Sequence, residues 1–144
     1  MDQLIILQNS YRMLKNGGYL ALIYSDTVTT GNYEWQEELR KILTLYERPN
    51  NENYYNASII KPWDTLLKET GFIDVFSNTY SEKIILSIEE IIGYLYSMSV
   101  YTKNVIGEQY TIFENSIKEK LLKIKPENRF EFNYKCGYYL GKKG

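Results

Sequence analysis

The sequence predicts an α/β fold built around a small sheet of three strands, and three features carry that expectation. Near the N-terminus a helical pattern runs into Gly17-Gly18 and then into the wholly apolar stretch Tyr19-Leu20-Ala21-Leu22-Ile23-Tyr24. Near the C-terminus Phe130, Phe132, Tyr134, Cys136, Tyr138 and Leu140 alternate with Glu131, Asn133, Lys135, Gly137, Tyr139 and Gly141, a period of two that only a strand satisfies. Between them the apolar residues recur mostly at helical spacing. At 144 residues the chain is long enough to bury a real core. No internal repeat or low-complexity linker interrupts it, so one domain over residues 1–144 is expected.

Each element can be justified in order. Asp2 to Leu14 places Leu4, Leu7, Tyr11 and Leu14 on one helical face, and Gly17 or Gly18 can take the left-handed cap conformation without steric cost. Tyr19 to Tyr24 shows no alternation and reads as a central parallel strand buried on both faces. The polar Ser25 to Gly31 reads as a loop, and Asn32 as the N-cap of a helix to Tyr46 whose stripe is Trp35, Leu39, Ile42, Leu43 and Tyr46. Pro49 to Asn56, rich in Asn, is loop-like. Pro62 suits the first turn of a short helix that turns Trp63, Leu66 and Leu67 inward and closes at Gly71. Phe72 to Leu86 is β-branched and aromatic, one long strand or two joined by a bulge. Ser87-Ile88-Glu89-Glu90 forms a capping box for a helix through Leu95. A last helix runs from Gly107 to Ile124, with Pro126 as its stop.

Composition narrows the function. Seventeen Lys and Arg against 18 Asp and Glu leave a net charge of −1, which gives a polyanionic partner little to attract it. Histidine is absent, removing the usual general base, Ser-His and Cys-His pairs and most zinc ligand sets. The single cysteine, Cys136, allows no internal disulfide and, on the apolar face of the last strand, reads as a buried inert thiol. Asp2 stands where a targeting segment would have basic residues, and Leu4 to Leu7 is far shorter than the ~20 residues of a membrane span, so a cytoplasmic location is the default expectation. Fifteen tyrosines supply apolar area with hydroxyls to satisfy, a mild sign of a polar pocket.

The ordered set of short motifs resembles one family. Ser10 to Ile23, with its Arg12-Met13-Leu14-Lys15-Asn16-Gly17-Gly18 core, resembles the helix-turn-strand that leads into the fifth strand of class I S-adenosylmethionine-dependent methyltransferases, with Asn16 where a proline is usual. Leu66 to Phe72 is similar to the entry to the sixth strand. Ser87 to Ser99 resembles the helical cap of the small-molecule group that includes trans-aconitate methyltransferase, and Tyr138 to Lys143 that group's last strand. The resemblance implies the C-terminal portion of a Rossmann-like methyltransferase fold, with a helical cap insertion over about residues 87–125. It also implies that the last strand is antiparallel and lies between the other two.

What the resemblance lacks matters as much. The family holds its cofactor on a Gly-x-Gly turn after the first strand and an acidic residue after the second, because glycines let backbone amides approach and a carboxylate accepts from ribose hydroxyls. This chain has no Gly-x-Gly. The implied function is therefore the acceptor-binding half of a methyltransferase, transferring a methyl group to a small molecule when another chain supplies the cofactor half, with no S-adenosylmethionine held by this chain alone. The sulfonium of that cofactor carries the hard chemistry, so a missing histidine is no obstacle.

Ligands of open α/β sheets sit beyond the strand ends, which makes Tyr24 and Asp26 candidates for contact with the methyl acceptor. Trp35 on the next helix and Ser97 and Ser99 after the cap helix complete the candidate set. Each has an ordinary alternative: a strand-end tyrosine, a solvated loop aspartate, core packing for Trp35, and helix-ending backbone bonds for the serines. Glu89 and Glu90 are explained by capping, and Lys142 and Lys143 by a solvated end. Two other functions compete, a non-catalytic protein-interaction domain and, against the balanced charge, an aromatic platform for single-stranded nucleic acid. An uncharged Tyr19 to Tyr24 edge, lacking proline or bulge, is expected to be covered, either by the missing half or by a second copy of the chain across a two-fold axis.

Overall fold

The computed structural model describes residues 3–46 and 61–144; the loop expected at Pro49 to Asn56 lies outside the described residues. The elements follow in the order α1 (Gln3–Met13), β1 (Tyr19–Ser25), α2 (Glu34–Thr44), α3 (Trp63–Thr70), β2 (Phe72–Leu86), α4 (Ile88–Ser97), α5 (Lys103–Ile106), a short 3-10 turn (Gly107–Gln109), α6 (Tyr110–Ile124) and β3 (Phe130–Lys143). The three strands form one sheet in the order β1-β3-β2. The chain divides into two compact units, one of Met1–Ser25, Asn50–Ser81 and Lys135–Gly144, the other of Asp26–Pro49 and Glu82–Tyr134.

In the first unit β1 pairs antiparallel with β3, from Tyr19 opposite Lys142 to Ser25 opposite Cys136. Phe72 of β2 lies against Gly141 and Asn78 against Gly137, so β2 and β3 also run in opposite directions. The last strand therefore sits between the other two and antiparallel to both, as the resemblance implies. The expectation that β1 is parallel and buried on both faces is overturned. Its residues alternate, with Leu20, Leu22 and Tyr24 half-buried and Tyr19, Ala21, Ile23 and Ser25 exposed. An unbroken apolar run cannot separate a strand covered twice from one whose outer face is apolar and open.

The covered face meets α1 and α3 through a core of Leu7, Leu66, Leu67 and Phe72, with Tyr11, Leu20, Leu22, Trp63, Val75 and Tyr139 packed around it. Phe72 and Val75 are three apart yet face the same core, because Asp74 between them takes a left-handed conformation (φ 50°) that breaks the alternation. Gly71 (φ 102°) closes α3, as its position predicts, whereas Gly17 (φ 77°) stands four residues past the end of α1 in the turn that leads into β1. Cys136 is only half-buried and belongs to the open face, which corrects its assignment to a buried one.

The second unit packs α2 and α4 on α6. Its core holds Trp35, Leu39, Ile91, Leu95, Phe113 and Ile117 with Phe130 and Phe132. The capping box at α4 is present: Ser87 Oγ accepts from the Glu90 amide at 3.2 Å, and Glu90 Oε2 accepts from the Ser87 amide at 2.7 Å. The helix continues two residues beyond Leu95, to Ser97. Asn32 is not the N-cap of α2. Tyr33 is, and its amide donates to Gln36 Oε1 at 3.3 Å. The long helix expected from Gly107 begins at Tyr110, after the 3-10 turn, and α5 was not foreseen.

Candidate functional site

Tyr24, at the end of β1, lies opposite Gly137 of β3. A β-carbon on Gly137 would fall 2.6 Å from the Tyr24 hydroxyl, so the missing side chain is what lets the phenol lie across β3. Beyond it the Tyr24 hydroxyl meets Thr79 Oγ1 of β2 at 2.6 Å, and the Tyr24 ring leans on Tyr139 with centroids 5.7 Å apart. One side chain thus ties the three strands together. On this side Leu22, Tyr24, Trp63 and Tyr139 line a cleft of about 220 Å³. On the opposite face a groove of about 450 Å³ runs between Ile23, Tyr80, Cys136 and Tyr138, floored by Ala21 and Gly137. Among the described residues no acidic or basic side chain lines it, so it offers mainly apolar contact, with Asn78, Cys136 and the Tyr80 and Tyr138 phenols as its polar groups.

In the second unit the segment after β1 is held from within. Gln36 is fully buried, and its Nε2 donates to the Val28 carbonyl at 3.1 Å and the Thr30 carbonyl at 2.6 Å. Arg40 donates to the carbonyls of Thr29 at 2.6 Å and Gly31 at 2.8 Å. Gly31 has φ 119°, and a β-carbon there would press on Gln36 Oε1 at 2.6 Å. Asp26 is half-exposed at the start of this segment. Trp35 is a core residue, packed on Phe130 and Phe132, and its indole donates to the Glu131 carbonyl at 3.0 Å. The Glu131 carboxylate pairs with Lys83 at 2.6 Å, which holds its pKa below and that of Lys83 above the ordinary values.

Ser97 and Ser99 are both exposed, and Ser97 Oγ donates to the Tyr94 carbonyl at 2.6 Å, the helix-ending bond anticipated for it. Nearby, Tyr96 donates to Glu114 at 2.8 Å, and the Lys103 ammonium sits 5.1 Å from the Tyr96 ring centre and 5.2 Å from that of Tyr110. Burial, and then the bond to Glu114, push the Tyr96 phenol well above the ordinary tyrosine range. Glu89 is held below the ordinary carboxylate value by the backbone amide it accepts from and then by Asn128. Asn128, left-handed at φ 54°, also accepts from the Ile88 amide at 2.8 Å.

Of the five sequence candidates, Tyr24 belongs to the first unit and Asp26, Trp35, Ser97 and Ser99 to the second. Tyr24, Trp35 and Ser97 have their polar atoms engaged by the bonds above, whereas Asp26 and Ser99 make no hydrogen bond among the described residues. Gln36, Arg40 and Asn128 organise the second unit and were not singled out from sequence. Only the Pro126-to-Asn128 turn composition carried any signal for the last of them.

The cofactor that the resemblance implies does not fit the glycines present. The Gly17 amide donates to the Lys143 carbonyl at 2.8 Å and the Gly18 amide to the Lys15 carbonyl at 2.9 Å, so both donors are committed to backbone. Among the described residues no cluster of three acidic or cysteine side chains is placed to hold a metal ion, and no helix is long and apolar enough to cross a membrane.

No family model matches the chain, and no curated protein does. Among solved structures it is similar to Haemonchus contortus phospholethanolamine N-methyltransferase 2, in complex with phosphomonomethylethanolamine and S-adenosylhomocysteine. The identity is 20% and the TM-score 0.39, over 99% of this chain and 30% of that one. The chain therefore spans under a third of that protein's length.

Proposed function

We propose that the chain is the acceptor-side half of an S-adenosylmethionine-dependent methyltransferase acting on a small molecule when completed by a cofactor-binding half. The observation that supports this reading is the strand order β1-β3-β2, with the last strand inserted antiparallel between two strands that the helix-glycine turn and the Leu66-to-Phe72 motif introduce. The free edge of β1 is the place for a cofactor half to add its sheet, since that strand carries no charge, proline or bulge. Asp26 and Ser99, whose side chains make no hydrogen bond among the described residues, are the acceptor contacts we favour, and Tyr24, Trp35 and Ser97 support the surrounding structure.

Calorimetric titration of the whole chain with S-adenosylmethionine tests the division of labour. No binding is expected below millimolar cofactor, and a dissociation constant in the low micromolar range would overturn the reading. A neighbouring reading frame encoding a strand followed by Gly-x-Gly should, when co-expressed, restore micromolar cofactor binding. The second reading, a non-catalytic interaction domain, draws on the open apolar face of the first unit. It gains if no such frame exists.

A further inference from the structure

We draw no further inference here: the strongest candidate, the apolar groove of about 450 Å³ between Ile23, Tyr80, Cys136 and Tyr138 on the open face of the first unit's sheet, carries nothing, because nothing in the structure shows what covers that face.

Discussion

Leu22 and Ile23 are neighbours in sequence and opposites in consequence. Leu22 packs with the Leu7 core, whereas Ile23 stands on the open face. Leu22→Lys should therefore cost about 2–3 kcal/mol of unfolding free energy. Ile23→Lys should stay within about 0.5 kcal/mol when both are measured by urea denaturation at sub-micromolar concentration. Gly137 gives a second residue-scale test. A methyl group there collides with the Asn78 carbonyl and the Tyr24 phenol, so Gly137→Ala should destabilise by about 1–3 kcal/mol, and Tyr24→Phe, which forfeits only the bond to Thr79, by about 1 kcal/mol. The double variant should cost less than the sum, because a displaced Tyr24 has already lost that bond. The sequence placed Tyr24 at a strand end but not over Gly137, since which residue faces a glycine depends on register. Gln36 was invisible for a different reason: it sits beside an apolar stripe, where a glutamine is ordinarily solvated.

Among the elements, the ones legible in advance were those with local punctuation. Ser87 and Glu90 fix the start of α4 through bonds that span three residues, and Gly71 ends α3 with a conformation no other residue takes cheaply. What escaped was β1's open face, which distant contacts set, and two starts whose local bonds went unread, Tyr33 to Gln36 at α2 and Thr102 to Val105 at α5. The α4–α6 contact supplies a pH test. The Tyr96 phenol, bonded to Glu114, binds its proton more tightly in the folded state than in the unfolded one. That stabilisation is complete below about pH 10, the free tyrosine value, and is lost as pH rises through the raised folded value. Alkaline unfolding followed by circular dichroism should begin near pH 10, and Tyr96→Phe should make stability less steep in pH above that point. At the other end of α4, Asn128→Ala removes a bond to the Ile88 amide and a residue that tolerates positive φ. It should lower stability by about 1–2 kcal/mol, with Asn128→Gly recovering the conformational part.

At the scale of the whole molecule the two units are interleaved along the chain, one drawn from three segments and the other from two. Removing residues 135–144 deletes the part of β3 that pairs with β1. The shortened chain should lose amide protection throughout β1 and α1 and bind an apolar dye, while hydrogen exchange in α4 and α6 stays slow. Protection lost equally everywhere would mean that the units unfold as one. The α/β class was readable because alternation and a glycine turn are local signals, whereas the position of the last strand came only from the family resemblance, since no local pattern sets strand order. The division into units was not readable, because it follows from which distant segments share a core.

The register of β1 has a consequence for the making of the protein. Tyr19 finds its backbone partner only in Lys142, and Ser25 in Cys136. On the ribosome the strand emerges early and remains without that partner until almost all of the residues described have been synthesised. Throughout that interval Tyr19 to Tyr24 is an apolar, uncharged, proline-free segment of the kind that chaperones bind and nascent chains aggregate through. Its yield in cells should therefore depend on how fast translation reaches Lys142, and slow synonymous codons placed between those of Ser25 and Cys136 should lower the soluble fraction of an unchanged polypeptide.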